Sequence, residues 1–355
     1  MDVRALTARR IASQKISPRH AVSVKDALGW MCAVQAQDYG MARWGLALRA
    51  AHASAAAVDA AIDRGDVLRT HILRPTWHFV GGGDIYWLLD FSARRILAGM
   101  RSRLEQLELD RATLNRSAAI MEKALAGGNS LTREELLDIV RNAGISTVSN
   151  RGSHILAWAE LHQLICSGPS RRGKRTYALL PERVPEARRM SREESLAALT
   201  RRYFRSRGPA TQKDFAWWSG LPLGEVREGL ALVKRSLDSE GEGSARLWFN
   251  TSSRPGGGGG VHLLPAFDEY LIGYQDRSAQ VQFASQKSLV SSNGMFWPTV
   301  VAGGAVIGTW KKESSGTNVA VRLNLFRGAP RPAGRLLAGA VARAVEFFGA
   351  HPATE

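Results

Sequence analysis

A helix-turn-helix-strand pattern that recurs along the chain constrains the fold more than any other feature. In its clearest copy, a helix start with a hydroxyl cap at residues 130–135 leads into an amphipathic helix that ends at Gly144. A second helix follows at residues 154–161, and the basic turn at residues 170–175 precedes an apolar strand at residues 176–180. These signals predict two helices followed by a basic hairpin. This arrangement is typical of a winged helix, a nucleic-acid-binding form of the helix-turn-helix.

Two further copies extend the pattern. The second has a helix carrying Tyr203 and Phe204, a turn and cap at residues 208–211, helices at residues 212–218 and 223–237, and a strand at residues 245–249. A degenerate third copy covers residues 7–80. Repetition of one supersecondary unit predicts a tandem of three winged helices.

The C-terminal part differs in character. Residues 256–260 are all glycine and predict a flexible connector, and strands are expected at residues 261–264, 294–301 and 305–310. Gly303-Gly304 predicts a tight hairpin, and a helix is expected from residue 334 to residue 348. The predicted fold class is α+β, with tandem winged-helix motifs and a C-terminal β-rich region. The predicted segments are 1–115, with the first winged helix, 116–190 and 191–255, with the second and third, and 256–355, with the β-rich region.

The charge of the chain indicates a polyanionic partner. Lys and Arg number 48 against 32 Asp and Glu, which gives a formal net charge of +16 and a pI near 10.6. Contacts from Lys and Arg to phosphates supply most non-specific DNA affinity, so double-stranded DNA is the predicted partner. A GC-rich coding bias would also raise Arg and Ala, but it need not leave acidic residues so far behind.

Composition argues against several other classes of protein. No apolar run approaches the roughly 20 residues that span a bilayer, and the first residues lack the pattern of a signal peptide. Cys32 and Cys166 are too few for a disulfide scaffold or a cysteine zinc site. We therefore expect a cytoplasmic, nucleoid-associated protein without a metal, a cofactor, a membrane contact or an obligate protein partner.

Three segments carry a resemblance to a known family. They are Gln35-Ala36-Gln37, residues 208–221 (GPATQKDFAWWSGL) and residues 264–274 (LPAFDEYLIGY). Together they resemble the winged-helix DNA glycosylases of the AlkZ and YcaQ type over nearly the whole chain. The resemblance implies a tandem winged-helix fold and excision of N-alkylated purines, including unhooking of interstrand crosslinks. It also implies a catalytic Gln-x-Gln element in the AlkZ branch, which Gln35 and Gln37 match. Ala36 is smaller than the aliphatic residue usual between them, which could alter the packing of the loop.

The chemistry of such a substrate explains why two amides would suffice. Alkylation at N7 places a positive charge on the purine, so the leaving group is already activated. The remaining work is to orient a water near the anomeric carbon and to tolerate an oxocarbenium-like sugar. In an extended loop, residues two apart face the same side, so Gln35 and Gln37 are predicted to hold one water between them. No lysine accompanies the motif, which predicts a monofunctional glycosylase that leaves an abasic site.

Other residues are predicted to line the site or contact DNA. Asp38 is a second candidate, as a carboxylate that stabilises a cationic sugar. Trp77 and His78 are candidates for lining the site, with a core tryptophan and a satisfied strand histidine as the alternative. The predicted contacts to DNA are a strand on which Arg69, His71 and Arg74 alternate, a basic wing and the glycine hairpin. The residues of the last two are Arg171, Arg172, Lys174, Arg175, Gly303 and Gly304. A solvated strand face or a buried β-meander would give the same patterns.

Two expectations concern structural roles. Tyr203-Phe204 and Trp217-Trp218 are predicted to lie in the core. Asp268, Glu269 and Asp276 lack the spacing of a familiar metal site and are predicted to form structural ion pairs with Arg277.

Several alternatives stay open at this point. A transcription regulator or architectural protein would bind DNA through winged helices without catalysis, and an interaction protein would use them to bind other proteins. The Gln-x-Gln element distinguishes the enzyme from the non-catalytic DNA binder, and the basic wings argue against the interaction protein. The preferred lesion, general repair as opposed to self-resistance to a DNA-alkylating metabolite, and the oligomeric state are not encoded in a recognisable pattern.

Overall fold

The computed structural model describes residues 1–17, 22–51, 53–186, 188–250, 260–292, 294–315 and 318–349. Its helices are α1 (Val3–Ser13), α2 (Val24–Met31), α3 (Tyr39–Arg49), α4 (Ala55–Arg64), α5 (Ile85–Gln106), α6 (Arg111–Leu125), α7 (Arg133–Asn142), α8 (Arg151–Leu161), α9 (Leu180–Arg183), α10 (Arg192–Arg207), α11 (Gln212–Ser219), α12 (Leu223–Val233), α13 (Glu269–Ile272) and α14 (Gly334–Gly349). Its strands are β1 (Ala33–Gln35), β2 (Val67–Ile72), β3 (Thr76–Gly81), β4 (Leu131–Thr132), β5 (Ile165–Ser167), β6 (Thr176–Leu179), β7 (Leu237–Glu240), β8 (Leu247–Asn250), β9 (Val261–Leu264), β10 (Thr299–Ala302), β11 (Ala305–Ser315) and β12 (Asn318–Leu325). The predicted α+β class is confirmed.

The chain forms two compact units. The first contains residues 1–58 and the described residues from 196 onward, and the second contains residues 59–195. The segments 191–255 and 256–355, predicted separately, therefore lie almost entirely in one unit together with the N-terminal residues. Within the described ranges, no helix has both the length and the apolar character needed to cross a membrane.

The second unit contains the clearest winged helix. Its elements follow the order α6, β4, α7, α8, β5 and β6, and the strands form an antiparallel sheet in the order β4-β6-β5. Thr132 caps α7 in a reciprocal capping box with Glu135, as the hydroxyl followed by acidic residues predicted. The core between helices and sheet is apolar and includes Met121, Leu136, Val140, Ile155 and Leu156.

The second copy of the pattern lies mostly in the first unit. It contains α10, α11 and α12 and the β7-β8 hairpin, and Thr211 caps α11 in a box with Asp214. Tyr203, Phe204 and Trp218 are fully buried, as predicted. The same prediction is wrong for Trp217, which is 42% exposed. Trp217 lies at the border of the buried face of α11, where its indole nitrogen donates to the carbonyl oxygen of Ile272 while part of the ring stays in solvent.

The helix predicted for residues 223–237 is shorter than expected. The helix α12 ends at Val233, and a short 3₁₀ turn leads to Leu237, which begins β7. Apolar residues at Leu230, Val233 and Leu237 fit one helical face, but Leu237 is also the first, buried residue of a strand. Helical spacing over so short a run does not distinguish the two.

The C-terminal part is an antiparallel sheet with strand order β12-β11-β10-β9. The indole nitrogens of Trp44 on α3 and Trp310 on β11 donate to the carbonyl oxygens of Leu263 and Leu264 on β9. The strand predicted from residue 294 begins only at Thr299, and the terminal helix is confirmed as α14. Of the predicted glycine connector, residues 256–259 lie outside the described residues.

Candidate active site

The Gln35-Ala36-Gln37 segment lies where β1 ends and the chain bends toward α3. Gln35 is the last residue of the strand and is 7% exposed, Ala36 is fully buried, and Gln37 is exposed in the bend. Alternation of side chains requires an extended chain, and the strand stops at Gln35. The segment is therefore not the extended loop that was predicted. The amide of Gln35 is buried at the end of a strand, and the amide of Gln37 is exposed two residues later.

The backbone before the motif has an unusual conformation. Cys32 joins α2 to β1 with φ 68° and ψ −53°, in a region that non-glycine residues rarely occupy. Such a residue persists only where surrounding contacts fix the chain on both sides. The strand that carries Gln35 is therefore placed by contacts from elsewhere in the fold.

Asp38 has a structural role in this segment. Its Oδ1 accepts a hydrogen bond of 3.0 Å from the backbone N–H of Met41, which makes Asp38 the N-cap of α3. An aspartate in this position satisfies a helix N–H that otherwise has no partner. Its predicted role toward a cationic sugar stays a hypothesis.

Two adjacent carboxylates, Asp268 and Glu269, hold the flanks of the motif. Glu269 is fully buried; its Oε1 accepts the backbone N–H of Gln35 at 2.9 Å, and its Oε2 accepts two bonds from Arg207 at 2.9 and 2.7 Å. Asp268 forms a bidentate pair with Arg49 of α3, with both N–O distances at 2.9 Å. Glu269 thus bonds the end of β1, and Asp268 bonds the helix that follows the motif.

The predicted pairing of these carboxylates with Arg277 is wrong. Arg277 donates through Nε to the carbonyl oxygen of Leu271, and its guanidinium lies over the rings of Trp217 and Phe296. Only sequence proximity favoured Arg277, whereas Arg49 and Arg207 approach from distant helices.

Tyrosine and glutamine side chains complete the buried network. Gln14 bonds the carbonyl oxygen of Glu269 and the hydroxyl of Tyr274, and accepts a bond from Arg49. The Tyr274 hydroxyl donates to the carbonyl oxygen of Arg207. Burial raises the pKa of Tyr274 to about 12, so the hydroxyl stays protonated and able to donate at neutral pH. Satisfied polar groups at this depth fix one arrangement of the surrounding chain.

The turn at Gly303-Gly304 is packed within the first unit. Gly304 is buried, its φ is 84°, and its carbonyl oxygen accepts the hydroxyl of Tyr270 at 2.6 Å. A Cβ at Gly304 would lie 2.6 Å from Thr7, whereas a Cβ at Gly303 would meet nothing within 4 Å. Gly303 is therefore the exposed point of this predicted DNA contact, and Gly304 is the point at which the turn packs on α1.

In the second unit, β2 and β3 place the predicted strand residues. Arg69 lies over the ring of Trp77 at 4.2 Å, and both side chains are half-buried. His78 is fully buried, and its Nδ1 lies 3.0 Å from the carbonyl oxygen of Thr76. Arg74 is half-buried in the turn between the strands. The structure thus groups Arg69 with Trp77, while His78 points to the opposite, buried side of β3.

His71, predicted to contact phosphates, is instead buried beside this group against Glu160, a partner that sequence reasoning missed. Nδ1 of His71 is 2.5 Å from Oε2 of Glu160, which also accepts the backbone N–H of His71. Glu160 is 1% exposed and lies on α8. Glu160 is a single acidic residue in an otherwise mostly apolar stretch of α8, and no sequence pattern connects it with His71.

The basic wing is an exposed two-residue turn. Arg171 and Lys174 exchange backbone hydrogen bonds of 2.9 and 3.0 Å, while Arg172 and Gly173 both have positive φ, as this type of hairpin turn requires. All four predicted basic residues of the wing are exposed. Arg171 forms an ion pair with Glu135 of α7, and the backbone bond from Thr132 together with this pair lowers the pKa of Glu135. The wing is therefore anchored through Arg171 and presents Arg172, Lys174 and Arg175 to solvent.

Within the described residues, no three His, Cys, Asp or Glu side chains come together in a group that could hold a metal ion. Burial raises the pKa of the Cys166 thiol to about 12, which leaves it protonated and unreactive at neutral pH.

Comparison with known proteins gives the family. The model described as "DNA glycosylase AlkZ-like" matches residues 28–347, a range that includes the glutamine motif and both other segments of the resemblance. The chain belongs to the AlkZ-like DNA glycosylase family.

Two comparisons, one of sequence and one of structure and both with Streptomyces sahachiroi, illustrate this AlkZ-like relationship. An interstrand DNA cross-link repair glycosylase is 26% identical over 338 residues, which cover 87% of this chain and 87% of the relative. The solved structure of the DNA glycosylase AlkZ matches with a TM-score of 0.76 and 22% identity, over 98% of this chain and 97% of the other. The second comparison shows a shared fold.

For this AlkZ-like chain, sequence reasoning found the motif and missed its support. The residues that fix β1 and α3 are Arg207 and Arg49, and nothing in their local sequence separates them from other arginines. In the structure both side chains are fully buried, a property that the sequence around them does not indicate.

Proposed function

We propose that this protein is a monofunctional DNA glycosylase that hydrolyses the N-glycosidic bond of N7-alkylated purines in double-stranded DNA. The observation that carries the proposal is the family match over residues 28–347, which includes Gln35-Ala36-Gln37. The exposure of Gln37 beside an anchored strand supports it, because an exposed amide can reach a substrate.

The proposed reaction needs one water and no cofactor. The side-chain carbonyl oxygens of Gln35 and Gln37 accept hydrogen bonds from the water and orient its oxygen toward C1′ of the damaged nucleotide. The bond between C1′ and N9 breaks, and its electron pair passes into the cationic purine, which leaves as a neutral base. The water oxygen then bonds C1′ and loses its proton to solvent. The product is an abasic site in an unbroken strand.

The substrate includes crosslinked or bulky adducts in this proposal. A relative of similar length is named an interstrand DNA cross-link repair glycosylase. A crosslinked nucleotide cannot easily be extruded into a closed pocket, so such a substrate requires an open site. The exposed position of Gln37 is consistent with attack from an open surface.

DNA binding is proposed to rely on cationic contacts to phosphates. The net charge of +16 supports this, as do Arg172, Lys174 and Arg175 on the exposed wing. Arg69 and Arg74 on the β2-β3 hairpin and the exposed Gly303 are further proposed contacts.

The test is a product analysis on two substrates. Duplexes carrying one N7-methylguanine or one interstrand crosslink between N7-alkylated purines are incubated with excess enzyme. The free base is quantified, and strand cleavage is measured with and without hot alkali. Release of the base, with cleavage only after alkali, supports a monofunctional glycosylase. Tight binding without release from either duplex would instead support a non-catalytic DNA-binding regulator.

A further inference from the structure

The end of β1 is held by one buried ion pair. Arg207 donates to the carbonyl oxygens of Met31 and Ala33, each at 2.8 Å, and to Oε2 of Glu269. Glu269 in turn accepts the backbone N–H of Gln35 through Oε1. The pair therefore bonds the main chain on both sides of Cys32 and at the first glutamine of the motif.

These bonds lie where the backbone needs support. Cys32 occupies a positive φ between the two carbonyl groups that Arg207 bonds. Without those bonds, a non-glycine residue would relax toward an ordinary conformation, and the strand after it would turn with it. The bond from Glu269 to Gln35 fixes the far end of the same strand.

Within the described residues, the Glu269 carboxylate bonds fixed groups of the protein, beginning with Gln35 and Arg207. Its remaining carboxylate contact is the indole N–H of Trp218 at 2.9 Å, and the side chain is fully buried. A buried ion pair gives weak net stability compared with apolar packing of the same volume. A positional role accounts for the pair better than a purely stabilising one.

We propose that Glu269 is a positioning residue for hydrolysis: it fixes the backbone of Gln35, directly and through Arg207, so that the two glutamine amides hold the water at the reacting carbon. This inference rests on the proposed function. It differs from that function in placing a required group outside the motif, at a residue that touches neither water nor DNA.

The experiment compares Glu269→Gln with wild type under single-turnover conditions, on the duplex carrying N7-methylguanine. The expected result is a loss of at least about tenfold in the excision rate, because small displacements of positioned groups are costly. DNA affinity should stay within about twofold, since no binding contact is removed. Hydrogen exchange of the peptide spanning residues 31–37 should accelerate in the variant.

The matched control is Asp214→Asn. Asp214 is a buried carboxylate of the same unit, but it bonds the backbone of Thr211 and Gln275. This variant should lose stability while keeping the wild-type excision rate and the wild-type exchange at residues 31–37. An equal drop in excision rate in both variants would show that Glu269 acts only through stability and would overturn the inference.

A second variant tests the proposal if Glu269→Gln does not fold. Glu269→Asp keeps the charge opposite Arg207 but withdraws the carboxylate by one methylene, so the protein should fold. It too should lose excision rate with DNA affinity retained. An excision rate within about threefold of wild type in this folded variant would overturn the proposal.

The two proposals fail separately. In one outcome, wild type releases the base, Gln35→Ala abolishes release and Glu269→Asp leaves release unimpaired. That result would support the glycosylase activity and contradict the positioning role of Glu269. If wild type releases nothing, the glycosylase falls, and the exchange of residues 31–37 still shows whether Glu269 holds the segment.

Discussion

Replacing Arg207 by methionine would leave the Glu269 carboxylate buried without its cation. Arg207 donates five hydrogen bonds, to Glu269 twice and once each to Met31, Ala33 and Ser206. Both side chains of the ion pair are completely inaccessible to solvent.

The expected cost follows from the buried charge. Removing one partner of a buried pair lowers the free energy of unfolding by about 3–5 kcal/mol, and the carbonyl groups left without donors place the loss toward the upper end. For a unit of this size, the melting temperature should fall by roughly 6–20 °C. The double variant Arg207→Met with Glu269→Gln should recover part of the loss, because the unpaired charge is gone.

Urea denaturation followed by tryptophan fluorescence measures this change. The control is Arg322→Met, since Arg322 pairs with Glu313 on the surface of the same unit with 74% of its side chain exposed. Exposed pairs contribute little, so this variant should stay within about 0.5 kcal/mol of wild type. A loss below about 1 kcal/mol for Arg207→Met, or a double variant less stable than the single, would refute the reasoning.

Three other predictions concern the wing, the glycine turn and alkaline pH. Replacing Arg172, Lys174 and Arg175 together by alanine should reduce the slope of log affinity against log salt for an undamaged duplex by up to about 3, and an unchanged slope would exclude the wing from DNA contact. Gly304→Ala should lower the free energy of unfolding by about 2–4 kcal/mol, because of its positive φ and the approach to Thr7, while Gly303→Ala should cost about 1 kcal/mol; equal costs would contradict the packing of this turn. Burial raises the pKa of Tyr274 and of Tyr177 to about 12, compared with about 10 in an unfolded chain. The free energy of unfolding should therefore keep its full value below pH 10 and fall by up to about 3 kcal/mol per tyrosine as the pH rises through 12. Urea midpoints across this range, with Tyr274→Phe reducing the fall, measure the effect.

Local signals account for what the sequence revealed of the fold. Caps at Thr132 and Thr211, the helix end at Gly144 and the glycine turn at Gly303-Gly304 depend on a few adjacent residues, and the structure has them as predicted. Residues 294–298 contain aromatic residues favoured in strands, but β10 begins only after them. Phe296 pairs there in an isolated bridge with Val290, whereas a strand requires consecutive paired residues.

The sequence indicates the glutamine motif of the site but not the residues that fix the backbone of that motif. Gln35 and Gln37 stand out through the resemblance to a family, while Glu269 bonds Gln35 across 234 residues of sequence and Arg207 across 62. No periodicity or spacing connects residues so far apart. The pairing with Arg277 was predicted from sequence proximity alone. In the fold, the buried arginines Arg49 and Arg207 pair with Asp268 and Glu269 instead.

Gln35 and Gln37 are proposed to perform the hydrolysis of a glycosidic bond in DNA. Single-turnover release of N7-methylguanine from duplex DNA by wild type, Gln35→Ala and Gln37→Ala tests it most directly, with DNA affinity measured on the same duplex. Gln37 is exposed, so Gln37→Ala should keep the stability and DNA affinity of wild type and lose release by at least about a hundredfold. Release by the Gln37→Ala variant at the wild-type rate would contradict the account.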